Sequence, residues 1–290
     1  MKDRKNILKV LSSIFIIFIL VGCGKGKDSD SSNITNEGNE VSVSYINVGK
    51  GDAILIQVED KNYLIDTGLE ENSQMLINGL KAKDVDNLDG VFLTHTHKDH
   101  IGGMGELAAA YDIDMMYRAE ISENKKNGEN KIDNLSEELS IPLTKLSSGD
   151  KVEITDAISF DVIGPLVLNR DDDNDNSLVM NLEVNGVKFL FTGDMQFAEE
   201  KTLMDAGVDL SSDILKVGNH GNKDATSDEF AIAVSPKYSV ITTDTAVDTN
   251  SASKRVRNVL SNSEIYITED YERGITFKVL KDGKVEIAEF

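Results

Sequence analysis

His95, His97 and His100 are three of the four histidines in a 290-residue chain, and they fall within the six positions His95-Thr-His-Lys-Asp-His100. The segment directly follows the short apolar run Gly90-Val-Phe-Leu93. In an extended loop, residues i and i+2 project to the same side, so His95 and His97 can present two imidazoles to one cation. Asp99 and His100 follow where the chain turns toward a helix, and they can serve a second ion. This mixture of nitrogen and carboxylate donors suits zinc, and also manganese or iron. Divalent ions acidify a coordinated water, so the spacing points to hydrolysis by metal-activated water at phosphorus or at a carbonyl carbon. Such chemistry needs no serine or cysteine nucleophile, and Cys23 is the only cysteine.

A site with two ions needs a bridging carboxylate and a donor from elsewhere in the chain. Asp194, in Phe191-Thr-Gly-Asp194, comes immediately after an apolar run and is the candidate bridge. His220, in Lys216-Val-Gly-Asn-His-Gly221, is the remaining histidine and the candidate distal ligand. Asp66 ends a third β run, Leu64-Ile-Asp-Thr-Gly68. A carboxylate there can accept a hydrogen bond from a liganding imidazole and fix its tautomer. Taken singly, Asp194 also fits a plain turn, His220 an exposed loop and Asp66 a turn cap. Gly102 and Gly103 permit close backbone approach behind the histidine loop.

These residues need a scaffold, and the apolar patterning supplies one. Alternation from Val41 to Val48, then Ala53 to Val58 and Asn62 to Ile65, predicts three strands in series. A helix over Glu71 to Leu80, a strand over Gly90 to Leu93, a helix from Gly102 through Ala110 and a strand over Ile113 to Tyr117 continue the first half. The polar stretch 120–140 reads as a loop with one short helix near Ile132 to Leu139. In the second half, strands are expected at 151–154, 158–163, 178–184 and 187–191, the last pair joined by the hairpin signal Asn185-Gly186. A helix over 198–204 and a strand over 213–217 follow. Thr226 with Glu229 forms a capping-box pattern for a helix through Val234. Strands at 238–242, 264–267, 275–280 and 284–287, with a helix over 253–260, complete the chain. Two halves that each open with a β-meander and end in β/α alternation fit an α/β fold of four layers, an αββα sandwich.

The first residues carry a different signal. Lys2, Arg4, Lys5 and Lys9 precede an apolar run that ends at Leu20-Val-Gly-Cys23, which looks like a bacterial lipobox. Residues 1–22 are therefore expected to be a lipoprotein signal peptide, with Cys23 acylated and the chain held on the lipid bilayer at the outer face of the cytoplasmic membrane. Residues 23–40 hold too few large apolar groups to fold and read as a tether, leaving 41–290 as one folded unit. The net charge of −21 becomes about −24 once four bases and one acid in residues 1–22 are removed. That balance argues against a continuous basic groove for nucleic acid. It leaves open an enzyme that meets phosphate through cations.

The motif His95-Thr-His-Lys-Asp-His100, with Asp66, Asp194 and His220 in this order, resembles the metallo-β-lactamase superfamily. Val48-Gly-Lys-Gly-Asp-Ala53, Asn176-Ser-Leu-Val179, Phe191-Thr-Gly-Asp194, Asp213 to Gly221, and Thr268-Glu-Asp270 with Gly274-Ile-Thr276 are similar to successive signatures of the hydrolase domain in ComEC/Rec2-type competence proteins. The resemblance implies a four-layer sandwich, one or two divalent ions, Asp52 and Ser177 near the active site, and phosphodiesters, DNA among them, as substrates. It also implies Asn176 as a weak ligand or water holder, in an interval where the wider superfamily carries a further histidine. Asn219-His220 stands where relatives often have two histidines, and no histidine lies near Asn250 to Ser253. These departures imply a weak first ion site and oxygen-rich ligation that favours manganese over zinc. Two other functions compete with a metal-dependent phosphodiesterase or nuclease: hydrolysis of another phosphoester of the cell envelope, and a non-catalytic binding lipoprotein that keeps the fold.

Overall fold

The computed structural model describes residues 39–122 and 129–290. The expected signal segment, Cys23 and most of the expected tether lie outside the described residues.

Two mixed sheets carry the fold. The first has eight strands in the spatial order Val285–Glu289, Gly274–Val279, Val41–Ile46, Ile54–Val58, Lys61–Ile65, Gly90–Leu93, Met116–Ala119 and Leu143–Leu146. The second has seven, ordered Glu264–Ile267, Tyr238–Ile241, Ile214–Lys216, Val187–Phe191, Val179–Val184, Ile158–Gly164 and Lys151–Thr155. Each sheet is antiparallel where the chain makes hairpins and parallel where helices intervene: Lys61–Ile65 to Leu143–Leu146 in the first, and Val187–Phe191 to Glu264–Ile267 in the second.

Side-chain alternation divides the apolar residues into three layers. Tyr45, Ile56 and Phe92 of the first sheet meet Phe160, Phe189 and Phe191 of the second in a core between the sheets. Phe92 stacks on Tyr117 at 4.6 Å between ring centroids and packs against Phe160 at 4.7 Å. The opposite face of the first sheet buries Leu55, Val91 and Leu93 under Leu76, Leu80, Met104 and Leu107 of helices Ser73–Ala82 and Met104–Ala110. The outer face of the second sheet buries Leu190 and Leu215 under Leu203, Phe230 and Val256 of helices Phe197–Asp205, Asp228–Val234 and Lys254–Val259. Helix, sheet, sheet, helix is the layer order expected from the patterning. Strands such as Gly90–Leu93 are continuously apolar because both of their faces are covered.

Several local expectations are corrected. The helix expected from Gly102 starts earlier, as Lys98–Ile101 followed by Met104–Ala110, so Asp99 and His100 lie on a helical turn rather than in a loop. The strand expected over 113–117 is divided into Asp112–Ile113 and Met116–Ala119, and Leu143–Leu146 adds a strand that the polar surroundings hid. The Thr226/Glu229 capping box does not form. Ser227 caps the helix instead, its Oγ accepting the Phe230 N–H at 3.1 Å. Thr226 lies in the left-handed region at φ 60°, and its N–H, with that of Ser227, is donated to the buried Glu200 carboxylate. A carboxylate from a neighbouring helix thus takes the Thr226 N–H that the Glu229 side chain would have accepted in a local box, together with that of Ser227.

Candidate metal centre

The loops that leave the carboxyl ends of the parallel strands converge on one place, the usual location of sites in α/β sheets. Asp66 follows Lys61–Ile65, Thr94 and His95 follow Gly90–Leu93, Asp194 follows Val187–Phe191, and His220 follows Ile214–Lys216. Asp99, His100, Asp194 and His220 each offer a ligand atom, and these atoms lie within 4.8 Å of one another. The Oδ2 atom of Asp194 is the common point, 3.1 Å from His100 Nε2, 3.2 Å from His220 Nε2 and 4.0 Å from His95 Nε2. Asp99 Oδ2 reaches His220 Nε2 at 3.4 Å.

Each imidazole is oriented by a partner on its other nitrogen. His220 Nδ1 donates to the Thr242 carbonyl at 2.8 Å. His100 Nδ1 donates to Asp66 Oδ2 at 2.7 Å. Thr94 Oγ1 gives its only proton to Asp66 Oδ2 at 2.7 Å, so its contact of 3.1 Å with His95 Nδ1 has the imidazole as donor. Every Nδ1 is thereby a donor, which leaves Nε2 either to carry a proton toward Asp194 or to bind a cation. All three Nε2 atoms are buried and lack a hydrogen bond of good geometry, despite the short distances to Asp194. Buried polar atoms are rarely left so, and three imidazoles around one carboxylate fit a divalent ion.

The electrostatics agree. Burial disfavours charge on Asp194, but His100 and His220 outweigh it and hold the carboxyl well below its ordinary range. Burial also opposes charge on His220, yet Asp194, Asp99 and Asp52 push its imidazole up to about 10. His100 is likewise raised well above the ordinary histidine value, with burial overcome by Asp194 and Asp66. His95 moves the other way: burial, then the neighbouring His100, hold it well below that value, so it is neutral and ready to donate a lone pair. Because the folded value of His220 lies above the ordinary 6.5, its stabilisation of the cation-free fold is complete below pH 6.5. That stabilisation is lost as pH rises through about 10. A metal ion must displace these protons. Metal uptake near pH 7 is therefore expected to release protons, and apparent affinity to rise about tenfold per pH unit for each proton displaced. Calorimetry in buffers of different ionisation enthalpy checks this; uptake without proton release would contradict it.

Asp66 is wholly buried and takes φ 59°, a left-handed conformation that costs a residue with a side chain about 1 kcal/mol. That conformation turns its carboxylate to accept the Thr94 N–H at 2.8 Å as well as the bonds to Thr94 Oγ1 and His100. His220 has φ 51° and Asn219 φ 43°, and Gly221 continues the left-handed turn at φ 72°. Three such residues in a row reverse the chain and point His220 inward.

The other residues singled out from the sequence occupy distinct places. Ser177 Oγ accepts the Asp194 N–H at 3.0 Å and lies 3.4 Å from His95 Nδ1, so it positions two donors. His97 is half-buried, with its ring edge-on to His95 at 4.6 Å. Neither His95 nor His97 belongs to the close-set group of four, and the two rings lie side by side at its edge. Asn176 spends its side chain inside its own loop, accepting the Asn169 N–H and donating to the Asn169 carbonyl and to Asp173. None of these bonds reaches the histidines, so the expected role as a ligand has no support in its contacts. Asp52 accepts a hydrogen bond from Thr242 Oγ1 and lies 2.6 Å from Lys216 Nζ. Asp52, Asp66 and His100 form a second close-set group. The Lys216 ammonium and the His100 N–H already occupy it, which makes it a support for His100.

Sequence reasoning missed Lys216, Thr94, Thr242, Asp173 and Lys50. Lys216 is wholly buried and also donates to the Gly193 carbonyl at 3.0 Å. A lysine within the apolar run Ile214 to Val217 was its visible signal. Asp173 accepts the Thr96 N–H and Oγ1–H, both at 2.8 Å, and so pins the backbone between His95 and His97. No local pattern links residues so far apart.

The family model of the metallo-beta-lactamase superfamily matches residues 46–243. ComE operon protein 3 of Bacillus subtilis is 29% identical over 223 residues, a stretch covering 70% of this chain and 28% of that protein. Exodeoxyribonuclease YycJ of Bacillus anthracis is 30% identical over 63 residues, 22% of this chain and 24% of that protein. Among solved structures, the metallo-beta-lactamase fold protein YhfI of Bacillus subtilis superimposes with a TM-score of 0.56 at 15% identity, covering 83% of this chain and 99% of its own.

Proposed function

The chain belongs to the metallo-beta-lactamase superfamily, whose fold implies a metal-dependent hydrolase, and from that premise we propose that it is a phosphodiesterase, with DNA among its substrates. The observation that carries the hydrolase chemistry is the buried Asp194 carboxylate faced by three Nε2 atoms that no protein group satisfies. Similarity to an exodeoxyribonuclease and to ComE operon protein 3 supports phosphorus as the electrophile. Because the chain spans little more than a quarter of the latter, DNA as the substrate belongs to this proposal.

Asp99, His100, Asp194 and His220, with His95 alongside, would hold the cation, manganese or zinc. When bound, it supplies Lewis acidity and an acidified water. The protein's own groups prepare the place for it. Asp66, Thr94 and the Thr242 carbonyl hold the imidazoles as Nδ1–H donors, so that no reorganisation is needed during the reaction. Asp99 is partly exposed at the mouth. Burial would raise its carboxyl, but His220 and His100 hold it far below the ordinary range. It is thus suited to bind a cation rather than to exchange a proton.

The test uses the full chain in detergent, loaded with manganese or zinc, on bis-p-nitrophenyl phosphate and on single-stranded DNA. Turnover that requires the metal and falls at least tenfold in His220→Ala is expected. A fully loaded protein that cleaves neither substrate would refute the phosphodiesterase reading and favour the binding lipoprotein. The same proposal places the chain on the outer face of the cytoplasmic membrane through acylated Cys23, supported by the Leu20-Val-Gly-Cys23 pattern. Incorporation of labelled palmitate, lost in Cys23→Ser, is the expected result.

A further inference from the structure

We infer that Lys50 receives the anionic oxygens of the substrate at the mouth of the metal centre and so selects for a phosphate group there. The inference rests on the phosphodiesterase reading and assigns its substrate contact. Lys50 Nζ lies 3.3 Å from Asp99 Oδ2 and 3.9 Å from Asp248 Oδ2, with one-third of the side chain exposed. It also lines a cleft of about 590 Å³ beside the centre, with Leu69, Met75, Glu71, Asp244 and Asp270 among the other walls. Among the described residues, Lys50 is the sole cationic side chain in that lining. Of the other lysines close to the centre, Lys216 is wholly buried and turned to Asp52 and the Gly193 carbonyl, and Lys131 donates to the Thr96 carbonyl at 3.0 Å.

The backbone around Lys50 is fixed. Gly49 at φ 71° donates its N–H to Asn47 Oδ1 at 3.0 Å, and Asp52 donates its N–H to the Asp99 carbonyl at 3.2 Å. Gly51, at φ 136°, packs so closely that a Cβ there would lie 2.5 Å from the Asp99 carbonyl oxygen. Only the side chain of Lys50 is left to move, which limits the entropy lost when it binds a ligand. Its ion pair with Asp99 is partly open to water and worth little. A cation held by Asp99 would weaken the pair further by taking up the carboxylate charge, which would leave the ammonium available as a point charge suited to phosphate. The acidic walls formed by Glu71, Asp244, Glu269 and Asp270 disfavour a second phosphate, so the cleft suits an uncharged portion of the substrate.

The experiment measures inorganic phosphate binding to the metal-loaded full chain by calorimetry, alongside turnover of bis-p-nitrophenyl phosphate, in the natural protein, Lys50→Gln and Lys50→Arg. Lys50→Gln is expected to weaken phosphate binding about tenfold and to raise KM with little change in kcat, while Lys50→Arg stays near the natural protein. Metal content and thermal midpoint should be unchanged, which separates a lost contact from a damaged site. Phosphate affinity unaltered in Lys50→Gln, or absent from the natural protein, overturns the inference. Phosphate bound through Lys50 without turnover of any phosphoester would sustain it and defeat the phosphodiesterase reading instead. Turnover indifferent to Lys50 would do the reverse.

Discussion

Asp194→Asn is expected to weaken metal binding by roughly a hundredfold to ten-thousandfold and to reduce kcat/KM at least as much, the cost of removing one charge from a buried, mutually paired set. The substitution is nearly isosteric, so the fold should survive. Asparagine presents one neutral oxygen and an NH₂ where the structure has a carboxylate shared by His100, His220 and His95. An amide cannot offset the charge of a bound ion, and its N–H groups would point at the same Nε2 atoms. Metal content after gel filtration, measured by elemental analysis, and turnover of bis-p-nitrophenyl phosphate check the prediction. A variant that retained stoichiometric metal and half of its turnover would remove Asp194 from the centre of the site.

The second large effect is on stability. Lys216→Met removes the ammonium that sits 2.6 Å from Asp52 and donates to the Gly193 carbonyl, all in the interior. The methionine fills the space, but Asp52 loses its nearest counter-charge and keeps only the imidazoles of His220 and His100 at 3.6 and 3.9 Å, so its buried charge is largely uncompensated, at a cost of about 3–5 kcal/mol. Adding Asp52→Asn removes that uncompensated charge. The double variant should recover most of the loss, and urea denaturation of all four proteins gives the coupling energy directly. If the two single losses merely add, the pair does not act as a unit. The loops tied by Lys216 are those that carry Asp52 and Asp194, so the Lys216 variant should also bind metal less tightly.

The cluster at 95–100 was legible because its residue types are scarce and its spacing has a chemical meaning. Asp66, Asp194 and His220 were legible because each stands where an apolar strand stops, the point at which an α/β sheet delivers functional groups. Lys50 and Lys216 were less visible. A lysine in a glycine-rich turn usually reads as solvent-exposed, and one inside an apolar run reads as an interruption, until the partners across the fold are known. The Thr226 cap shows the same limit at the backbone level: a local pattern promised a box, but Glu200 from another helix took the N–H groups.

The donor types, their order along the chain and the layering are written in the amino-acid sequence, because hydrophobic periodicity and residue chemistry are local properties. Which donors meet depends on how the packed chain folds back on itself. The tertiary structure returned Gly274–Val279 from the end of the chain to pair with Val41–Ile46 at its start, which no local signal specified. It also gathered Asp99, His100, Asp194 and His220 around one point while leaving His97 beside it and Asn176 within its own loop. Distances between residues remote in sequence depend on strand register and on buried ion pairs such as Lys216 with Asp52, and these form only when the two sheets pack.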